Sequence, residues 1–167
     1  MGELTREVKL PRGLSRLLYR LPILLYHAGL GWLLGKRFLL LTHTGRISGL
    51  PRQAVLEVIR FDRGSESYYV LSGFGEQADW FRNIQLTPEV EITIGRRCMG
   101  ALAETLPQGD AEWELLDYAR RYPLAARLLP RLLGYRVDGS EEGYRALARR
   151  FKIVRFVRVV CDIPREV

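Results

Sequence analysis

What constrains this chain most is a series of short β-prone segments punctuated by turn formers. Residues 38–43, 53–61, 68–72, 90–94 and 99–104 are rich in Leu, Val, Ile, Tyr and Thr, with Gly, Asp, Ser or Pro between them. That is the pattern of antiparallel strands joined by turns. Asp62-Arg63-Gly64-Ser65 suits a hairpin, because Gly and short polar side chains tolerate the positive φ that tight turns demand. Val90, Ile92 and Ile94 alternate with Glu91 and Thr93, which gives that strand one wet face. Residues 152–161 repeat the alternation, with Val154 and Phe156 against Arg155, and read as a last strand.

Helical periodicity frames the strands. Over 78–86, Trp80, Phe81 and Ile84 fall on one side and Arg82 and Gln85 on the other, and Thr87-Pro88 ends the helix. The region 110–151 is helical, divided at Pro123 and Pro130 because proline cannot donate the helical hydrogen bond. Ser140 stands as N-cap before its final piece, with Glu141 and Glu142 in the first turn. Residues 12–34 read as one N-terminal helix kinked near Pro22. It either caps an open barrel end or lies on a membrane surface through 14–34, as a basic amphipathic helix does. Pro22, Gly29 and Gly31 interrupt its apolar stretch, which falls short of the roughly 20 residues that span a bilayer. With no signal-peptide pattern, the expected location is cytoplasmic, with membrane association as the alternative.

At 167 residues, 47% hydrophobic and 27% charged, the chain supports one domain over 1–167, with a barrel core at 37–104. Its net charge of +7, carried mostly by arginine, favours polyanionic partners. No basic run is interleaved with aromatics, so nucleic acid is not an expected partner. Cys98 and Cys161 form no CxxC pair and are expected to be reduced core thiols. His27 and His43 lack companions at ligand spacing, so no metal site is expected.

The densest turn chemistry lies between Leu41 and Arg52, where Thr44, Gly45, Arg46, Ser48, Gly49, Pro51 and Arg52 follow one strand and lead into another. Glycines let backbone N–H groups approach an anion, hydroxyls add donors, and guanidinium groups bind phosphate oxygens by charge-assisted bonds. The same residues also suit an ordinary hairpin with surface arginines. Neither a Walker A loop nor a Rossmann fingerprint fits the segment. On the 78–86 helix, Trp80 reads as core, while Asn83 bonds either a neighbouring loop or a cofactor.

Residues Leu39-Leu40-Leu41-Thr42-His43-Thr44-Gly45-Arg46-Ile47-Ser48-Gly49-Leu50-Pro51-Arg52 resemble the opening motif of the deazaflavin-dependent nitroreductase family, within the flavin and deazaflavin split β-barrel oxidoreductases. Asp79-Trp80-Phe81-Arg82-Asn83-Ile84, continuing through Thr87-Pro88-Glu89-Val90, is similar to a second block of that family. Two departures stand out: Ile47 occupies a position where the family commonly has a cation, and Thr87-Pro88 replaces an Asn-Pro pair.

The resemblance implies an α+β, mainly β fold, a split β-barrel of antiparallel strands with an N-terminal helix and peripheral helices. It implies an oxidoreductase that uses coenzyme F-420, a deazaflavin with a phosphate and an oligoglutamate tail, to reduce a quinone, nitro compound or activated alkene. FMN is the alternative cofactor, and a non-catalytic cofactor- or lipid-binding barrel the alternative class. By position, Thr44, Gly45, Arg46, Ser48, Gly49, Pro51 and Arg52 would hold the phosphate end. Ser72, Gly73, Phe74, Gly75, Trp80 and Asn83 would line the ring or the acceptor. Tyr122 or Ser72 would stand near the acceptor as proton donor, with water as the other source. The protein would act as a monomer or a homodimer on a small-molecule acceptor.

Overall fold

The computed structural model describes residues 22–132 and 134–159. Six strands, β1 (Phe38–Thr44), β2 (Pro51–Asp62), β3 (Ser67–Ser72), β4 (Glu89–Ile94), β5 (Arg97–Thr105) and β6 (Lys152–Arg158), form a closed barrel in the order β1-β2-β3-β6-β5-β4. Every pairing is antiparallel, and β1 closes the ring on β4 through Leu40↔Thr93, Leu41↔Ile92 and Thr42↔Glu91. Closure leaves no unpaired sheet edge. Among the described residues, besides a helical stretch at 22–27, four helices occur along the chain: α1 (Asp79–Leu86), α2 (Gln108–Arg121), α3 (Pro123–Leu132) and α4 (Glu141–Arg150).

Period-2 alternation divides the apolar residues between two cores. Leu39 and Leu41 of β1, Leu56 of β2, Val70 of β3, Val90 and Ile92 of β4, and Val154 and Phe156 of β6 fill the barrel. Phe81 and Ile84 of α1 join them, so this short helix plugs one end of the barrel. Burying each of those two side chains stabilises the plug by about 1.5–3 kcal/mol. The second core lies outside, where Ile59, Tyr69, Leu71 and Ile153 meet Leu115 and Tyr118 of α2 and Tyr144 and Leu147 of α4. A bulge between Val58 and Arg60 turns both Ile59 and Arg60 towards these helices.

Several details differ from the sequence expectations. Pro123 does begin a new helix, but Pro130 lies within α3 without dividing it. Helical structure in the described N-terminal part covers only residues 22–27, not the whole stretch to 34; Gly29 takes φ +72 and a short 3-10 turn follows at Gly31–Leu34. Gly31 packs against the ring of Tyr26, whose hydroxyl donates to the Phe38 carbonyl. The rest of that predicted helix lies outside the described residues, as do Cys161 and the end of the predicted last strand, whose described part stops at Arg158. Cys98, expected in the core, is exposed on the β4–β5 hairpin. In the β2–β3 turn, Glu66, rather than a glycine, takes the positive φ, +46. Asp62 braces that turn by accepting from the Gly64 N–H and the Ser65 hydroxyl.

Candidate functional site

The segment Gly45 to Leu50 links β1 to β2 at the barrel end that α1 plugs. Its own backbone closes it: the Gly45 N–H donates to the Leu50 carbonyl at 2.9 Å and the Gly49 N–H to the Gly45 carbonyl at 2.8 Å. The Ser48 hydroxyl accepts from the Leu50 N–H at 3.3 Å. Gly49 has φ +67, which favours glycine, and Gly45 is buried where a Cβ would crowd Ser48 Oγ and the Leu50 carbonyl. Internal bonds and the contact with α1 use the N–H groups of Gly45, Arg46, Gly49 and Leu50. Those of Ile47 and Ser48 find no acceptor among the described residues.

Arg46 ties the loop to α1. Its backbone N–H and its Nη1 both donate to Asn83 Oδ1, at 3.1 and 3.0 Å, and its Nη2 pairs with Asp79 Oδ1 at 3.0 Å. Asp79 sits in the first turn of α1, where a carboxylate complements the positive helix end. Its side chain is largely exposed, so this ion pair by itself contributes at most about 1 kcal/mol. Asn83 is buried, and its Nδ2 lies 3.1 Å from Nδ1 of the equally buried His43. Burial, aided by the Arg52 charge, holds the imidazole below its ordinary value against the opposing pull of the Thr44 backbone and Asp79. His43 is therefore neutral at neutral pH.

Arg52 is the register partner of His43 and so projects on the same face of the sheet, at the barrel mouth. It is exposed and has no carboxylate partner among the described residues. The loop thus carries one cation already matched by Asp79 and one with no carboxylate partner among the described residues. Beside it, Thr42, His43, Thr44, Pro51, Glu89, Val90 and Glu91 line an open cleft of about 280 Å³. Two carboxylates make that cleft unfavourable for a polyanion.

The other residues expected at the site have defined places. Ser72 is buried and its hydroxyl donates to the Gly75 carbonyl at 3.0 Å. Gly75, with φ +54, packs so closely on the Arg150 carbonyl that a Cβ would collide with it. Gly73 and Phe74 are half-buried between them, Phe74 resting on the barrel core. Trp80 is half-buried against the same core, edge-on to Phe81 at 5.9 Å. Thr44 and Pro51 frame the loop at the strand ends. Tyr122 is half-exposed at the α2–α3 junction, its ring 5.5 Å from that of Tyr118. Tyr118 is anchored on Glu57, five positions along β2 from Arg52, or about 17 Å at the rise of a strand.

Sequence reasoning passed over His43 and Asp79. The signal for His43 was its register: it shares the inward face of Leu39 and Leu41, where a polar side chain needs a partner. Among the described residues no group of three or more His, Cys, Asp or Glu could hold a metal ion, and no helix is long and apolar enough to cross a membrane.

No curated protein matches the chain. Among solved structures it is similar to a conserved hypothetical protein of Mycobacterium tuberculosis, at 12% identity and TM-score 0.53, covering 81% of this chain and 80% of that one. It is similar to the haem storage protein HutZ of Vibrio cholerae, at 14% identity and TM-score 0.50, covering 76% and 84%. A third similar structure, described as a domain-swapped dimer, has 18% identity and TM-score 0.50, covering 72% and 80%. At such identities these likenesses speak for the fold alone. The family of F420H(2)-dependent quinone reductases matches over residues 27–125, a span that holds the loop, the helix α1 and the first five strands. The chain accordingly belongs to the F420H(2)-dependent quinone reductase family and is an oxidoreductase of F420-dependent type.

Proposed function

We propose that the Thr44–Arg52 segment holds the phosphate of reduced coenzyme F-420 and that the protein reduces a quinone. The observation that carries this reading is the exposed guanidinium of Arg52 beside a glycine-shaped loop; among the described residues Arg52 has no carboxylate partner and the Ile47 and Ser48 N–H groups have no acceptor. Those donors fit a phosphate. Ile47 does not spoil the fit, because its backbone, rather than its exposed side chain, supplies the donor.

When bound, the deazaflavin supplies the hydride, so no side chain need be a nucleophile. The chain's own contribution is position and charge. Arg52 offers the cation, the Ser48 hydroxyl and the two N–H groups fix the anion, and Arg46 spends its donors holding the loop against α1. Glu89 and Glu91 repel an anionic tail from the cleft beside β1, which favours its passage on the Arg52 side. Phe74 and Trp80 offer apolar surface near the same end of the barrel. The Ser72 hydroxyl, committed to the Gly75 carbonyl, favours a role as clasp of the 72–75 turn, and water is then the source of the acceptor's proton.

Titration of the purified protein with F-420 and, separately, with FMN, followed by absorbance and fluorescence, tests the reading. Micromolar binding of F-420 and quinone-dependent oxidation of its reduced form are expected. Binding of FMN alone would replace the cofactor, and binding of neither would sink the proposal.

A further inference from the structure

We propose that His43 is a positioning residue for the anion-binding loop: its Nδ1 accepts the Asn83 amide N–H and so turns Asn83 Oδ1 towards Arg46, and protonation of the imidazole loosens the loop by breaking that link. The inference rests on the reading above for what the loop binds, but the relay stands on geometry alone. Asn83 Oδ1 receives two N–H groups of Arg46, at 3.1 and 3.0 Å, so that atom must be the carbonyl oxygen. The other amide atom, 3.1 Å from His43 Nδ1, is then the NH2 group, which only donates. Nδ1 must therefore be unprotonated.

A proton on Nδ1 would set two donors face to face. Rotating the Asn83 amide to offer its oxygen to His43 would turn the NH2 group onto the Arg46 N–H, a second opposition of donors. Both residues are buried, with 5% of His43 and 4% of Asn83 exposed, so water cannot readily take the place of the lost partner. Protonation at His43 thus breaks the buried Asn83 link between Arg46 and α1 and leaves only the more exposed Arg46–Asp79 ion pair to hold the loop there. The charged groups around the imidazole are Arg52 from β2, Asp79 from α1, Arg46 from the loop, and Glu89 and Glu91 of β4 across the shared cleft. Burial leads the shift and lowers the imidazole, so the loop stays latched at neutral pH and loosens only in acid.

The test follows the ligand-free protein by NMR from pH 8 to pH 5. In the wild type, the Arg46 backbone amide and the Asn83 side-chain amide are expected to shift together with the His43 imidazole, with one midpoint below 6.5. His43→Asn places an amide oxygen near the position of Nδ1 and should keep the Arg46 signal in its neutral-pH position at every pH. His43→Leu removes the acceptor and should abolish hydrogen-exchange protection of the Arg46 amide at all pH values. F-420 affinity should fall about tenfold in His43→Leu and recover in His43→Asn. An Arg46 amide that stays still while His43 titrates, or one in His43→Leu indistinguishable from wild type, overturns the relay. Should His43→Leu fail to fold, the wild-type titration and His43→Asn still decide. A relay that holds in a protein unable to bind F-420 leaves this inference standing and removes the cofactor assignment.

Discussion

Asn83 accepts both the backbone N–H and the Nη1 of Arg46 on one carbonyl oxygen, so the loop after β1 and the helix that plugs the barrel are joined at a single buried atom. Plug and loop share that buried contact, beside the more exposed Arg46–Asp79 ion pair. Its loss is felt in both places.

Replacing Asn83 with Leu keeps the volume but leaves the Arg46 N–H and His43 without their partner. A loss of about 1–3 kcal/mol is expected, from the cost of burying unsatisfied polar groups. Urea denaturation measures it. A change within 0.5 kcal/mol would mean that water satisfies the site.

Arg52→Ala removes the one loop cation with no carboxylate partner among the described residues. If it makes one charge-assisted bond to the cofactor phosphate, F-420 binding should weaken by about 1.5–3 kcal/mol, with fold stability unchanged within about 0.5 kcal/mol. Fluorescence titration and thermal melts separate the two effects. An unaltered dissociation constant counts against the assignment.

Arg60 of β2 grips Glu114 of α2 with bonds of 2.9 and 2.6 Å, and its guanidinium lies 3.9 Å from the Tyr69 ring centroid. Glu114 is buried, so Glu114→Ala abandons a partly buried cation and should cost about 3–5 kcal/mol. The double variant Arg60→Met, Glu114→Leu should recover much of that loss, since an apolar pair has no charge to desolvate. Chemical denaturation of the three proteins provides the cycle.

Tyr118 donates its hydroxyl to Glu57 at 2.9 Å, and burial first, then the Glu57 charge, raises the phenol well above its ordinary value near 10. The folded state therefore holds this proton more tightly than the unfolded chain does. Its stabilising contribution is complete below pH 10 and is lost as pH rises through the raised folded-state value. Tyr118→Phe should lower stability at pH 8 and flatten the alkaline limb above pH 10. Melting temperatures across pH 8–11 show whether the two curves converge.

Much of the architecture was legible in the chain. The segments 38–43, 53–61, 68–72, 90–94 and 99–104 all lie within strands, because alternation and turn formers act over a few residues. Ser140 caps α4 as its sequence position implied, accepting from the Gly143 N–H at 3.0 Å. Element ends were less legible: Pro130 sits inside α3 and Gly29 turns the chain after residue 27, where packing overrides local preference.

What the sequence determined by itself was local: strands, turns, the phosphate-friendly composition from Thr44 to Arg52, and the motif blocks that mark the family. What only the tertiary structure decided was the division of labour between the two loop arginines. Arg46 and Asp79 are 33 positions apart, and His43 and Asn83 are 40 apart. Their meeting depends on barrel closure and on α1 seating across its end, both products of long-range burial that no local pattern encodes. Arg46 and Arg52 look alike in the sequence; the fold binds one to α1 and leaves the other exposed at the rim.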